Sequence, residues 1–431
     1  MIKNSSLRII IAVSSFLRIL LSYVFFRLLL SPISSDKRKK IRRKVDEINA
    51  RFLLRRLLFL RGLFIKVGQF LSVRADLLTR PYIKHLSTLQ DSVPPEPFDV
   101  VKKRLEEELG EIGLVYNEFE RSAIAAASLG QVHRAELKDG RKVAVKIQYP
   151  YIENLFKTDL KALGIILKII KIFRKDLDTE KILKEFERYV SMELDYIQEG
   201  KNAEKISYNF RDDEQILVPR VLWEYTTKKV LTLEFIEGIK ITEMDKYENK
   251  LSKKDVFKKV LDMYLRQIFE HGFFQADPHP GNIFVRTEKS PQPVLVLLDY
   301  GLCREISKDF IRGFAKLTSC LIEGDAKKMA DAMVEIGFSS RDGKVEGFEK
   351  FSELAIKHAG DIYKDPRDID FQGIVKNFMD IVSEYPLVEM PSEFILLGRT
   401  FGLLSGLARV MKTGVRVEKV LMPYLLKSFV E

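Results

Sequence analysis

Cysteine is scarce in this chain: the 431 residues contain two, Cys303 and Cys320. Two thiols cannot build a disulfide framework, and neither a Cys-x-x-Cys pair nor clustered His/Cys spacing accompanies the five histidines. A disulfide-stapled secreted domain and a structural zinc site are thereby excluded, and a reducing compartment is implied. An uninterrupted apolar run is also missing. Residues 7–30, LRIIIAVSSFLRILLSYVFFRLLL, are long enough to cross a bilayer but carry Arg18 and Arg27. No A-x-A-like cleavage site follows, which argues against a cleaved secretory signal.

Apolar content is ample, at 46% hydrophobic and 10% aromatic, and fills one large core or two lobes. The net charge of +11 is concentrated. Residues 1–60 hold fourteen Lys/Arg against three Asp/Glu, so this segment carries the whole excess and the remainder is neutral. A basic arm on a neutral body points to anionic membrane lipids, not to nucleic acid. At 100° per residue Arg8, Ser15, Arg18 and Ser22 form one stripe, which predicts an amphipathic helix lying in the membrane interface. The basic run Lys37–Lys44 then meets headgroups, at about 1 kcal/mol per basic residue. If the first segment spans, the positive-inside rule leaves the body facing the cytoplasm.

Helical spacing continues from Val45 to Thr88, with Lys66 and Gln69 beside an apolar stripe of Leu63, Val67, Phe70 and Leu71. Spacing alone assigns those two polar residues to a solvated face. Ser92–Pro97 reads as a domain boundary, and a short helix follows over Phe98–Leu109. The most strand-like stretch begins near Ser122; a Lys138–Gly140 turn joins two β-prone runs as a hairpin. Its second run, Val143-Ala144-Val145-Lys146, has the form of the kinase strand whose lysine holds the α and β phosphates. One strand earlier, where kinases carry a glycine-rich phosphate loop, stand Ala125, Ala126, Ala127, Ser128 and Gly130. Alanine lacks glycine's conformational freedom, so backbone approach to phosphates is restricted.

Tyr151–Phe210 is helical by periodicity and offers Glu199 as the partner of Lys146, with Glu193 and Asp195 one to two turns earlier. Strands are predicted near Val221–Glu224 and Val230–Phe235. Leu233–Gly238 reads as a hinge, whose Glu234 and Ile236 backbone would meet an adenine. A helix over Lys253–His271 leads into His271–Gly301, which holds the chemistry. Asp277 and Asn282 have the Asp-x-x-x-x-Asn spacing of a kinase catalytic loop, and an apolar run delivers Asp299 into Asp-Tyr-Gly, where kinases carry Asp-Phe-Gly. Magnesium takes hard oxygen ligands, one or two carboxylates beside phosphate and water, which Asn282 and Asp299 can supply. Asp277 is placed to accept the attacking group's proton. Helices are predicted over Lys308–Gly337, Gly347–Tyr363, Phe371–Glu384 and Pro391–Thr413. His133 and His279 read as structural, and Cys303 as a small apolar residue.

Taken together, KVGQ (Lys66–Gln69), AAAS (Ala125–Ser128), QVH (Gln131–His133), VAVK, the Glu-x-Asp pair Glu193 and Asp195, ADPHPGN and DYG make the chain resemble the UbiB/AarF family of atypical kinase-like proteins, also named for activity of the bc1 complex. The resemblance covers about Phe64–Val410. It implies an α+β, two-lobed protein-kinase-like fold with an N-terminal helical extension. The corresponding boundaries are 1–44 for the basic anchor, 45–110 for the extension, 111–236 for the N-lobe and 237–431 for the C-lobe. It implies that Lys66 and Gln69 point into the nucleotide site while Glu193 and Asp195 hold that motif in place. Lys146 then pairs with Glu199 and the phosphates of ATP, Asn282 and Asp299 hold Mg2+, and Asp277 takes the catalytic-loop position. The family's ATPase-type activity at membranes and its link to ubiquinone and other prenyl-lipid biosynthesis are likewise implied. A phosphotransferase acting on a protein or small molecule, and a nucleotide-switched scaffold, are the alternatives. Unlike members anchored by a C-terminal apolar hairpin, this chain ends in VRVEKVLMPYLLKSFVE, too short and too charged for two spans.

Overall fold

The computed structural model describes residues 4–29, 35–72, 78–90, 95–173, 178–246, 251–286, 292–340, 346–359, 387–415 and 417–428. Two compact units divide the chain: Met1–Glu199 with Val221–Phe235, and Gly200–Arg220 with Ile236–Glu431. In the first, helices α1 (Ser5–Leu29), α2 (Ser35–Leu60), α3 (Leu63–Ser72) and α4 (Arg80–Leu86) precede α5 (Phe98–Leu109) and the single turn α6 (Ile112–Val115). The long helix expected from Val45 is broken after Leu60, because Arg61 and Gly62 both adopt left-handed backbone, with φ of 55° and 56°. Strands β1 (Tyr116–Phe119), β2 (Ala125–Ala126), β3 (Gly130–Leu137) and β4 (Lys142–Gln148) follow, then α7 (Ile152–Phe173), α8 (Thr179–Glu193) and α9 (Tyr196–Asn209), whose residues from Gly200 onward belong to the second unit.

The expected hairpin is present. β3 and β4 pair antiparallel from Gly130–Gln148 to Glu136–Lys142, and Gly140 closes the turn at φ 84°. After β5 (Ile216–Leu217), which belongs to the second unit, β6 (Val230–Glu234) completes the sheet in the order β1-β3-β4-β6, with β2 on β3. Alternation on β4 sends Val143, Val145 and Ile147 into the core and leaves Lys146 on the other face. The strand expected at Val221–Glu224 does not form. Val221 makes one isolated bridge to Leu233, and Trp223–Tyr225 coils into a 3-10 turn tied down by the Thr226 hydroxyl, which donates to Leu222 O at 2.9 Å.

In the second unit β5 lies parallel to β10 (Val294–Leu297) in a sheet of order β5-β10-β9-β7, with β7 at Ile239–Lys240 and β9 at Ile283–Arg286. A separate ribbon joins β8 (Phe273–Gln275) to β11 (Cys303–Glu305). Helix α10 (Lys253–Leu265) is the buried spine and continues into a π-helical turn at Arg266–Glu270. The single helix expected over Lys308–Gly337 is two, α11 (Lys308–Glu323) and α12 (Ala326–Glu335). Gly324, at φ 75°, ends the first, and the Asp325 carboxylate caps the second by accepting from Lys328 N at 3.0 Å. Then come β12 (Ser339–Ser340), α13 (Glu346–Ala359), β13 (Leu387–Glu389), α14 (Ser392–Met411) and α15 (Val417–Ser428). The helix expected at 371–384 lies outside the described residues.

Within the first unit, α1 meets the body through a mixed side that includes polar residues and leaves an apolar face exposed. Most of its polar stripe faces inward: Arg8 and Ser15 are buried and the Ser22 hydroxyl accepts from Asn49 Nδ2 at 2.6 Å, whereas Arg18 is exposed. Ala12, Ile19 and Phe26 are buried beside that stripe, while Ile10, Leu21, Phe25 and Leu28 face outward, between 61% and 71% exposed. Arg8 is held inward by Asp159 on α7, fully buried, which accepts from Arg8 Nε at 2.8 Å and from Nη2 at 2.6 Å. The guanidinium also donates to Leu60 O at 2.6 Å and to Arg61 O at 3.4 Å, so it joins α1, the end of α2 and α7. Burial pushes the Asp159 carboxyl up to about 6 despite the guanidinium. Removing one member of such a pair strands the other in an apolar setting. Arg8→Ala is therefore expected to lower stability by about 3–5 kcal/mol. The double change Arg8→Met with Asp159→Leu should recover most of that loss in denaturant melts; additive losses would contradict the pairing.

Candidate nucleotide site

In the first unit, Lys146 Nζ donates to both oxygens of Glu199, at 2.6 and 2.9 Å, and sits 5.1 Å from the Tyr196 ring centroid. Glu199 is 2% exposed, so its charge depends on that ammonium. Of the three acidic residues considered, Glu199 is thus the partner. Glu193 pairs with Lys66, whose ammonium also lies over Tyr189 at 6.0 Å. Asp195 is placed elsewhere: its carboxylate caps α9, accepting from Gln198 N at 3.1 Å. The two Lys–Glu pairs therefore flank one short junction between α8 and α9. Gln148, two residues beyond Lys146 on β4, pins that junction by donating to Leu194 O at 2.8 Å.

The KVGQ helix α3 is held close. A Cβ at Gly68 would lie 2.2 Å from Leu89 Cδ1 and 2.8 Å from Leu57 Cδ1, so any larger residue there would have to push both leucine side chains aside. Gln69 secures the same contact by donating to Leu89 O at 2.8 Å. The solvated face suggested by spacing is thus not where Lys66 and Gln69 lie; packing of α3 against α7 and α8 brings them inward. In the alanine loop, Ala125 and Ala126 pair with Val132 and Gln131, and Ala127 N donates to Gly130 O at 2.8 Å. Ser128 is buried and its hydroxyl has no hydrogen-bond partner, an orphaned donor that a phosphate oxygen would satisfy. The segment expected to be the hinge follows β6: Glu234 is exposed at its end, Phe235 N donates to Lys142 O at 3.0 Å, and Ile236 opens the second unit.

In the second unit the β8–β9 loop carries Asp277 and Asn282, while the β10–β11 loop carries Asp299. Pairing of β9 with β10 ends at Leu297–Ile283, and Leu298 N donates to Asn282 O at 2.8 Å, so Asn282 and Asp299 emerge from the same end of that ladder. Asp299 adopts φ 67°, sparsely populated for a non-glycine residue and a form of strain that surrounding structure must hold. Gln275 supplies the hold, donating to Leu298 O at 3.1 Å and to Asp299 O while accepting from the Tyr264 hydroxyl. Asn202 Nδ2 donates to Tyr300 O at 2.9 Å. His279 shapes the Pro280–Asn282 turn, its Nδ1 accepting from Gly281 N at 3.1 Å. Among the described residues no three His, Cys, Asp or Glu side chains converge on a metal position. One carboxylate and one amide oxygen fit magnesium, which completes its shell with phosphate and water.

Two supporting groups escaped sequence reasoning. Arg399 on α14 pairs with Asp277 at 3.0 Å with its own side chain 6% exposed, and Thr400 beside it donates to Ala276 O at 3.4 Å. An arginine inside the apolar helix FILLGRTFGLLSG was the available signal, since a buried guanidinium needs a carboxylate. Gln275, which steadies Asp299, gave no comparable signal.

The chain matches the ABC1 atypical kinase-like domain over residues 88–333. It belongs to this family, UbiB/AarF. An Arabidopsis thaliana chloroplastic protein, activity of bc1 complex kinase 8, is 33% identical over 427 residues, covering 91% of this chain and 55% of the relative. AarF domain-containing protein kinase 1 of Xenopus laevis is 32% identical over 391 residues, covering 88% and 74%. The chain thus spans little more than half of the plant relative's length. The Mycobacterium tuberculosis protein Rv3197, solved as an erythromycin complex, superposes with a TM-score of 0.59 at 22% identity, covering 91% of this chain and 99% of its own. That likeness shows the shared fold. As a family member the chain has the two-lobed, kinase-like α+β fold with an N-terminal helical extension.

The QVH histidine, as expected, is structural. His133 is fully buried, with Nε2 against Gln131 at 2.9 Å and Nδ1 against Glu120 O at 2.8 Å, and burial holds its pKa below the usual value. Below about pH 6.5 the unfolded chain then binds the proton that the folded one resists, so stability falls as pH falls. His133→Gln should flatten the Tm profile between about pH 7.5 and 5.5. It should not abolish the slope, because burial also lowers His271. An unchanged slope would contradict the assignment.

Proposed function

We propose that the chain binds ATP with Mg2+ and hydrolyses it at a membrane surface, in support of prenyl-lipid or ubiquinone-type biosynthesis. The observation that carries this reading is the doubled Lys–Glu arrangement around the α8–α9 junction. A kinase-type site uses one lysine held by a helix glutamate. Here a second, Lys66, is held by Glu193 next to it in the chain fold. In this reading Lys146, oriented by Glu199, meets the phosphates, with the orphaned Ser128 hydroxyl as a further donor. Asn282 and Asp299 hold the magnesium, which neutralises charge on the transferring phosphoryl group. Arg399 holds Asp277 in position as acceptor of the attacking group's proton. Lys66 and Gln69 crowd the site with a helix absent from open protein kinases, which favours water as acceptor over a protein substrate. Glu234 and Ile236 remain the proposed adenine contacts.

Membrane association rests on α1. Ser5–Phe26 is long and apolar enough to cross a membrane and only 22% of it is buried. Its exposed apolar face is followed by the Lys37–Lys44 run, which suits anionic lipids. The chain would then face the cytoplasm or an equivalent reducing compartment. Ser392–Met411 passes the same length and hydropathy test, but it carries Arg399 and Thr400 against the Asp277 loop, as a core helix does. The apolar outer face and the lysine pairs, rather than any named substrate, point to a lipid-linked process.

ATP turnover by the full chain, with and without liposomes rich in anionic lipid, tests the proposal. Free phosphate should appear with magnesium and rise with liposomes. Lys146→Met should reduce turnover at least about 100-fold. A chain lacking residues 1–44 should lose the liposome response. Phosphate recovered on a protein or metabolite favours a phosphotransferase instead. No turnover under any lipid condition, with nucleotide still bound, leaves only a nucleotide-switched scaffold.

A further inference from the structure

The helical part of the first unit lines a half-open cavity of about 410 Å³, within the ~300–1,000 Å³ of small-molecule pockets. Its walls come from α1, α2, α3, α4, α7 and α8, with Ala12, Ile19, Val67, Phe70, Leu167 and Phe186 among them. Such walls gain neither hydrogen bonds from water nor dispersion contacts from an empty space. Polar groups gather at the Tyr23 and Tyr82 side. The Tyr23 hydroxyl donates to Asp46 Oδ1 at 2.6 Å and lies 2.9 Å from the Tyr82 hydroxyl, and Thr79 donates to Asp46 Oδ2 at 3.1 Å. Arg42, 3.4 Å from Asp46 and stacked over Tyr23, cancels the carboxylate's charge. The Tyr23 end is therefore rich in hydroxyls and close to neutral, while Arg56, also on the wall, lies over the Phe52 ring at 5.0 Å.

We propose that this cavity binds one neutral amphiphile, its aliphatic chain among Ile19, Phe70, Leu167 and Phe186 and its uncharged polar group against Tyr23, Thr79 and Tyr82. The site deepens the lipid part of the function proposed above and rests on it for the class of ligand. α3 bears both cavity residues and Lys66, and α8 bears both Phe186 and Glu193. An occupant therefore sits against the two helices that the Lys66–Glu193 pair joins. The face used is the inner side of α1, opposite the exposed Ile10, Leu21 and Phe25.

The full-length chain, stripped of lipid and without nucleotide or vesicles, is titrated with the neutral fluorophore N-phenyl-1-naphthylamine. Saturable binding at one site is expected, displaced by 1-dodecanol at least ten-fold more effectively than by dodecanoate. Ala12→Phe and Leu167→Trp, which fill the cavity, should weaken binding at least ten-fold, whereas Leu21→Ser with Phe25→Ser should leave it unchanged. Because a filled variant can misfold, the wild-type chain is also labelled with an alkyl alcohol bearing a terminal diazirine. Adducts on Ile19, Phe70, Leu167 or Phe186 support the site. Adducts confined to Ile10, Leu21 and Phe25, non-saturable binding, preference for dodecanoate, or full affinity in folded filled variants each overturn it. None of these readouts involves ATP, so they fail or succeed apart from the turnover assay.

Discussion

A buried carboxylate that must be paired organises the first unit. Glu199 is almost wholly shielded from water, and an unpaired charge there is costly, so Lys146 is held against it. That fixes β4 against the first turn of α9, and Gln148 repeats the constraint at the preceding junction. Glu193, at the end of α8, then stands where α3 can reach it with Lys66, and Gly68 allows α3 to come near enough. One ion pair thus sets the position of the next, and the extension helix is drawn into the unit.

The second unit solves a different problem. Asp299 must project a carboxylate from a backbone conformation that most residues avoid, and the strain is held by Gln275, Tyr264 and the ladder between β9 and β10. Asp277 is steadied by Arg399 on a helix more than a hundred residues later in the chain. An apolar helix that composition alone offers as a membrane span is in this way committed to the Asp277 loop.

Much of this was legible in the sequence because short-range chemistry wrote it there. The Lys138–Gly140 turn, the alternation along Val143–Ile147 and the Asp277–Asn282 spacing each depend on neighbours a few residues away. What spacing could not show were the long-range pairings. Periodicity put Lys66 on a solvated face, and only packing against α8 brings it to Glu193; the family resemblance had implied the inward placement. Arg8 counted toward the polar stripe of an interfacial helix, yet Asp159, 151 residues later, draws it into the body. Likewise Gly324 and the Arg61–Gly62 pair cut helices that apolar periodicity ran together, because left-handed backbone ends a helix whatever the pattern of its faces.

The central claim is that Asp299 and Asn282 form the magnesium end of a nucleotide site. Electron paramagnetic resonance of Mn2+, a magnesium substitute, titrated with ATP and the full chain addresses it directly. The account predicts a protein-bound manganese signal that requires ATP in the wild type and is lost in Asp299→Ala, while the variant's far-ultraviolet circular dichroism is unchanged. A nucleotide-dependent signal of undiminished affinity in folded Asp299→Ala would contradict it.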